Sequence, residues 1–165
     1  MSRAIRFHHF GSADVLKCEE VTQRPPAANE VLIRVQAIGV SWDDVMRRQG
    51  LGLCETRLPA GLGSEMAGIV EAVGERVDDL RVGDRVASFQ ASDINDYPVY
   101  GDTILLPRAA LTRYPEQLSP KQASVHYTPF LLAWFHHETH GASLASNVAL
   151  VLSNARLAAE VAACR

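Results

Sequence analysis

The sequence predicts a mainly β fold with peripheral helices: a small barrel or sandwich, then helices and one β–α unit. Three observations carry this. Four short apolar runs in the first two thirds have strand character, and turn residues bound most of them. Five glycines (61, 63, 68, 74 and 83) fall between residues 61 and 83, a density that marks tight corners between short strands. From about residue 119 the period changes to a helical one.

Each element has a local reason. An N-terminal hairpin is closed off by Pro25 and Pro26. In residues 31–37, Val31, Ile33 and Val35 alternate with Arg34 and Gln36, as in a half-buried strand. Residues 41–48 form a short helix that Ser41 can cap and Gly50 can end. Residues 69–73 make a strand between Gly68 and Gly74, and residues 85–89 another after the Gly83-Asp84 turn. Residues 103–106 make a fourth strand, ending at Pro107.

Ser119, Pro120 and Gln122 occupy the N-cap, N1 and N3 positions of a helix start. Pro129 interrupts that helix, and Thr128 and Pro129 can open a second one. Gly141 closes it. Residues 147–152 are continuously apolar, as in a strand buried on both faces, and 156–164 are alanine-rich and helix-forming.

Composition narrows the function classes. The chain has 165 residues, 47% hydrophobic and 21% charged, which is ordinary for a soluble globular protein. Its net charge is −3 with no basic stripe, so nucleic acid is not an expected partner. No apolar run approaches the roughly 20 residues that span a bilayer. No apolar signal core follows Met1, so a membrane or export role is not expected. Cys18, Cys54 and Cys164 are odd in number and far apart, the pattern of reduced cytoplasmic thiols.

One stretch carries a resemblance. Gly61, Gly63, Ser64, Glu65, Gly68 and Gly74 are followed by the turn Gly83, Asp84, Arg85 and Val86, in one order and spacing. Upstream the pattern extends through Gly11, Asp14 to Leu16, and residues 37–50; downstream it includes Pro107 and residues 128–134. Over residues 1 to about 152 the chain resembles the medium-chain dehydrogenase/reductase superfamily. It is most like the quinone oxidoreductase and zinc-free alcohol dehydrogenase-like branches.

The resemblance implies a partly open β-barrel similar to chaperonin-10, at residues 1–120, as the catalytic domain. It also implies that residues 121–165 are linking helices and an incomplete β–α stub of a doubly wound domain. NADPH or NADH would lie in the cleft between the two domains and pass hydride to a quinone, enone or related carbonyl compound.

Zinc is not expected. Where zinc-dependent members carry Cys and His, this chain has Ser41 and Ser64, although Asp44 and Glu65 fit the pattern. A neutral hydroxyl is a poor zinc ligand beside thiolate or imidazole. Carbonyl polarisation would then fall to donors such as Ser41, or to water. His136 and His140 share a helix face, but one residue instead of two separates Glu138 from His140, so the zinc-protease pattern is not met.

The cofactor site reads as incomplete. A dinucleotide needs a glycine-rich turn between strand and helix. No glycine follows Gly141, and Arg156 stands in the glycine's place. Only 45 residues follow Pro120, whereas such a domain takes on the order of 100–150. The isolated chain is therefore expected to bind the cofactor weakly or not at all.

The resemblance places Ser41 and Trp42 in the substrate and nicotinamide pocket, although Ser41 could be only a helix cap and Trp42 only core. Thr128 matches a threonine near the nicotinamide carboxamide. Met46 could wall the same pocket or belong to the core. Glu65 reads as a structural contact and Asp84 as a turn residue. Tyr97 and Tyr100 border a loop whose relation to the cleft is open.

Two functions follow. One is a zinc-independent oxidoreductase domain that needs a complementary nucleotide-binding domain, with a quinone or other carbonyl substrate. The other is a non-catalytic binding or oligomerisation module, in which the apolar strand at 148–152 pairs with a second copy or another protein.

Overall fold

The computed structural model describes residues 2–52, 54–89 and 93–125. Over these residues the chain is mainly β, as expected. Strands β1 (Ser2–Phe7) and β2 (Lys17–Val21) form the N-terminal hairpin. With β4 (Ala60–Gly61) they make a three-stranded sheet in the order β2-β1-β4. A second sheet has the order β7-β3-β5-β6-β8. Its strands are β3 (Glu30–Gly39), β5 (Glu65–Val73), β6 (Arg85–Ser88), β7 (Thr103–Pro107) and β8 (Leu111–Arg113). All pairings are antiparallel.

The two sheets join along residues 100–102. Ile5 N–H donates to the Tyr100 carbonyl (2.8 Å), Asp102 N–H to that of Arg3 (2.8 Å), and Val35 N–H to that of Asp102 (2.9 Å). The join makes a partly open barrel. β3 and β5 form the longest pairing, with register shifts that leave Gln36 on β3 and Glu71 on β5 without a direct partner. Such bulges bend a strand pair and help a small sheet curl round a core.

That core holds Phe7, Ile33, Leu62, Met66, Val70 and Leu106, each at most 1% exposed. Strand β5 runs four residues further back than the sequence suggests, through Gly68 to Glu65. Its first four residues are all buried, because both faces are covered. Met66 faces the barrel core, while Ala67 on the other face packs with Ala87, Tyr114 and Ala123. Ala123 belongs to α2 (Pro120–Ala123). The Ser119 N-cap accepts the Gln122 N–H, and Gln122 Oε1 accepts the Ser119 N–H at 2.9 Å, the reciprocal cap its sequence signals. The helix at 128–140, the strand at 147–152 and the alanine-rich helix lie outside the described residues.

Candidate functional site

Helix α1 (Trp42–Arg48) builds the site. It begins at Ser41 and gives way to Gly50, whose φ of +77° suits the residue just past a helix end. Trp42 and Met46, four residues apart, share one face of the helix. Trp42 is 44% exposed, which removes the pure core reading; Ser41 and Met46 are half-buried. Thr128, the fourth expected pocket residue, lies outside the described residues, as do His136 and His140.

Beneath Ser41 lies Asp44, only 2% exposed. Its Oδ2 accepts the Ser41 N–H (2.9 Å), the Ser41 hydroxyl (3.2 Å) and the Tyr100 hydroxyl (3.2 Å). Its Oδ1 accepts the Gly63 N–H (2.9 Å). Gly63 has φ +87°, and a Cβ there would collide with the Tyr100 ring. Glycine is therefore required for the chain to bring this N–H down onto the carboxylate. Burial pushes the Asp44 carboxyl upward, opposed by the four donors. Burial, and then the Asp44 charge, drive the Tyr100 hydroxyl well above its ordinary range.

Glu65, at the start of β5, is buried beside Gly39 at the end of β3. A Cβ on Gly39 would lie 2.8 Å from Glu65 and 2.6 Å from the Ser124 carbonyl. Three segments thus meet within van der Waals distance just before Ser41. Ser64, at the other position where zinc-dependent relatives place a ligand, accepts through its carbonyl from the Ser88 hydroxyl (2.8 Å). Among the described residues, no three His, Cys, Asp or Glu side chains cluster in a metal-holding arrangement.

Arg47 and Arg48 were not singled out from the sequence, and both are buried. Arg47 donates to the Gly61 carbonyl (3.2 Å), Thr56 Oγ1 (3.3 Å) and Asn95 Oδ1 (2.8 Å). Asn95 in turn receives the Arg57 N–H and donates to the Glu55 carbonyl. Arg47 and Asn95 therefore fasten the loops at 55–57 and 93–98 to α1. No spacing could reveal this, since Asn95 lies 48 residues from Arg47. The loop tyrosines separate: Tyr100 lies under Ser41 through Asp44, whereas Tyr97 donates to Glu30 at the far end of β3 (2.9 Å). A crevice of about 460 Å³ between the sheets is lined by Arg24, Tyr97 and Pro98 among others, and by none of Ser41, Trp42 and Met46.

The family described as "Alcohol dehydrogenase GroES-like domain" matches residues 27–103, which include α1, Glu65 and Tyr100. The quinone oxidoreductase of Salmonella typhimurium is 36% identical over 135 residues, 82% of this chain and 40% of that protein. The chain belongs to the medium-chain dehydrogenase/reductase superfamily.

Within the superfamily it is quinone oxidoreductase-like. The human quinone oxidoreductase is 31% identical over 166 residues, 100% of this chain and 49% of its own length. Escherichia coli quinone oxidoreductase, solved in complex with NADPH, superposes with a TM-score of 0.72 at 31% identity, over 84% of this chain and 41% of that one. The chain thus spans less than half the length of these relatives. A family described as "Indigoidine synthase A like protein" also matches residues 110–164, a stretch over which the human quinone oxidoreductase aligns as well.

Proposed function

We propose that this chain is the substrate-side part of a zinc-independent, NADPH- or NADH-dependent oxidoreductase acting on quinones, enones or related carbonyl compounds. Residues 1–120 form its catalytic domain, and 121–165 lead into a nucleotide-binding fold. The observation that carries the reading is the exposed face of α1. Trp42 is 44% exposed, on the same helix face as the half-buried Met46 and next to the half-buried Ser41, in a chain similar to a quinone oxidoreductase solved with NADPH. A flat aromatic, a thioether and a hydroxyl suit a nicotinamide or quinone ring. The family resemblance adds Thr128 to the expected contacts of the nicotinamide.

A bound nicotinamide would supply hydride, with Ser41, Trp42 and Met46 holding its ring against the substrate, and the proton that completes the reduction would come from solvent. The protein's part would be to orient the ring against the substrate. Serine at positions 41 and 64 leaves the site without soft zinc ligands, which supports the zinc-free reading. Free, exposed Cys18 and Cys54 suit a reducing cytoplasm. The chain is expected to work with a nucleotide-binding domain supplied in cis or in trans.

A chimera tests this. Residues 1–120 replace the matching part of E. coli quinone oxidoreductase, and NADPH oxidation with a benzoquinone is followed at 340 nm. Turnover that falls at least about tenfold with Trp42→Ala is the expected result. A folded, NADPH-binding chimera without turnover on any quinone or enone would overturn the reading.

A further inference from the structure

We propose that the carbonyl substrate carries an aliphatic tail, which lies along an apolar strip running from Trp42 over Met46 to Leu51 and Phe10. The inference rests on the substrate-side reading above and narrows the substrate class within it. The strip follows from how α1 ends. Leu51 N–H donates to the Met46 carbonyl (2.8 Å), and Gly50 N–H to the Arg47 carbonyl (3.1 Å). With Gly50 at φ +77°, these two bonds make the helix ending in which the residue after the glycine folds back over the last turn. Leu51 is thereby set beside Met46 instead of leading away from the helix. Met46 shares a helix face with Trp42. Phe10 joins from the loop after β1, where a Cβ on Gly50 would lie 3.0 Å from its ring.

Leu51 is 60% exposed, and Phe10 and Trp42 are 44% exposed each. Among the described residues six large apolar side chains are exposed, and three of them fall on this strip. Single exposed apolar residues are ordinary, but a run of them marks a binding surface. Two observations select the occupant. Exposed polar neighbours, His9, Asp43 and Gln49, confine the apolar surface to a narrow band, unlike the broad buried centre of a protein interface. The band also starts at Trp42 and Met46, against which the reacting ring is placed, and α1 carries it outward for about 9 Å before Leu51 and Phe10 extend it. A tail attached to a carbonyl group held at Trp42 would follow that path and bury its methylenes on Met46, Leu51 and Phe10.

The test titrates the whole chain with 2-butanone, 2-hexanone and 2-octanone, which share a carbonyl head and differ in tail length. Backbone amide signals of Met46, Leu51 and Phe10 and the Trp42 indole signal are followed by nuclear magnetic resonance. A fully buried methylene is worth about fourfold in affinity, and on a strip open to one side about twofold is expected. 2-Octanone should therefore bind on the order of tenfold more tightly than 2-butanone, with the responses spreading from Trp42 to Leu51 and Phe10 as the tail lengthens. Leu51→Ser and Phe10→Ser, both at exposed positions, should each cut that ratio by about threefold. Equal affinity for the three ketones overturns the inference, and so does silence at all four residues. A length dependence that survives both variants puts the tail elsewhere and overturns it. A dimer that Leu51→Ser converts to monomers in sedimentation also overturns it, because a second copy would then cover the strip. The substrate-side reading is decided separately, by turnover of the chimera on quinones and enones.

Discussion

Asp44 Oδ1 accepts the backbone N–H of Gly63 at 2.9 Å, and this bond fastens the start of α1 to the turn between β4 and β5. The same carboxylate takes Tyr100 from a third segment. Removing it leaves the Ser41 N–H, the Gly63 N–H and the Tyr100 hydroxyl without their acceptor. Asp44→Ala is therefore expected to cost about 3 kcal/mol, and Tyr100→Phe, which removes one donor, about 1 kcal/mol. Urea denaturation followed by circular dichroism measures both. A smaller loss for Asp44→Ala than for Tyr100→Phe would contradict this arrangement.

Glu30 sets a pH dependence at the opposite end of β3. Its oxygens accept from both Arg24 Nη atoms (2.5 and 2.8 Å), from the Ala27 N–H (2.9 Å) and from the Tyr97 hydroxyl (2.9 Å). The Arg24 hydrogen bonds, as the largest cause, hold its carboxyl down at about 2 from an ordinary 4.5. A depressed folded value means that the stabilisation is complete above about pH 4.5 and disappears as pH falls towards 2. Glu30→Gln should cost on the order of 2 kcal/mol at pH 7 and flatten the loss of stability between pH 4.5 and 2. Denaturation midpoints across that range decide it; an unchanged slope in the variant would count against Glu30 as the titrating group.

Gly39 tests the closeness of β3, β5 and α2. A methyl group there meets the Ser124 carbonyl at 2.6 Å and Glu65 at 2.8 Å. Gly39→Ala is expected to destabilise by about 1–3 kcal/mol, as overpacking does, and to shift the amide signals of Ser124. Wild-type stability with unshifted Ser124 would show that the three segments are less tightly packed.

Arg48 points the other way. Among the described residues its Nε and Nη1 are buried without a hydrogen-bond partner, although the Asp14 carboxylate lies close enough to feel its charge, and the residue is 4% exposed. Burying a charge in this manner costs more than an apolar side chain of similar length. Arg48→Met is expected to leave stability unchanged or raise it by about 1 kcal/mol or more, read as the urea midpoint. A loss greater than 1 kcal/mol would mean that an ordered water or another partner satisfies the guanidinium.

Among the described residues, the N-terminal hairpin, β3, β5, β6, β7, α1 and the start of α2 were legible because each obeys a local rule, whereas the short β4 and β8 carry no such signal and were not. Ser41 and Gly50 bracket α1, Ser119 and Gln122 cap α2, and alternation at Val31 and Ile33 marks β3. The resemblance centred on Gly61 to Val86 led to the right superfamily for the same reason, since glycines at tight corners keep fixed spacings. Strand β5 was underestimated because alternation fails where both faces are covered, and only the packing of α2 against Ala67 reveals the second face.

By itself, then, the sequence determined the mainly β class, the bounds of α1, the start of α2 and the superfamily, all of which rest on neighbours in the chain. Only the tertiary structure decided that Asp44 collects donors from Ser41, Gly63 and Tyr100, that Trp42 faces outward, and that Asn95 ties two loops to Arg47. Those contacts join residues up to 56 positions apart. Their geometry follows from how the barrel curls, which no local spacing records.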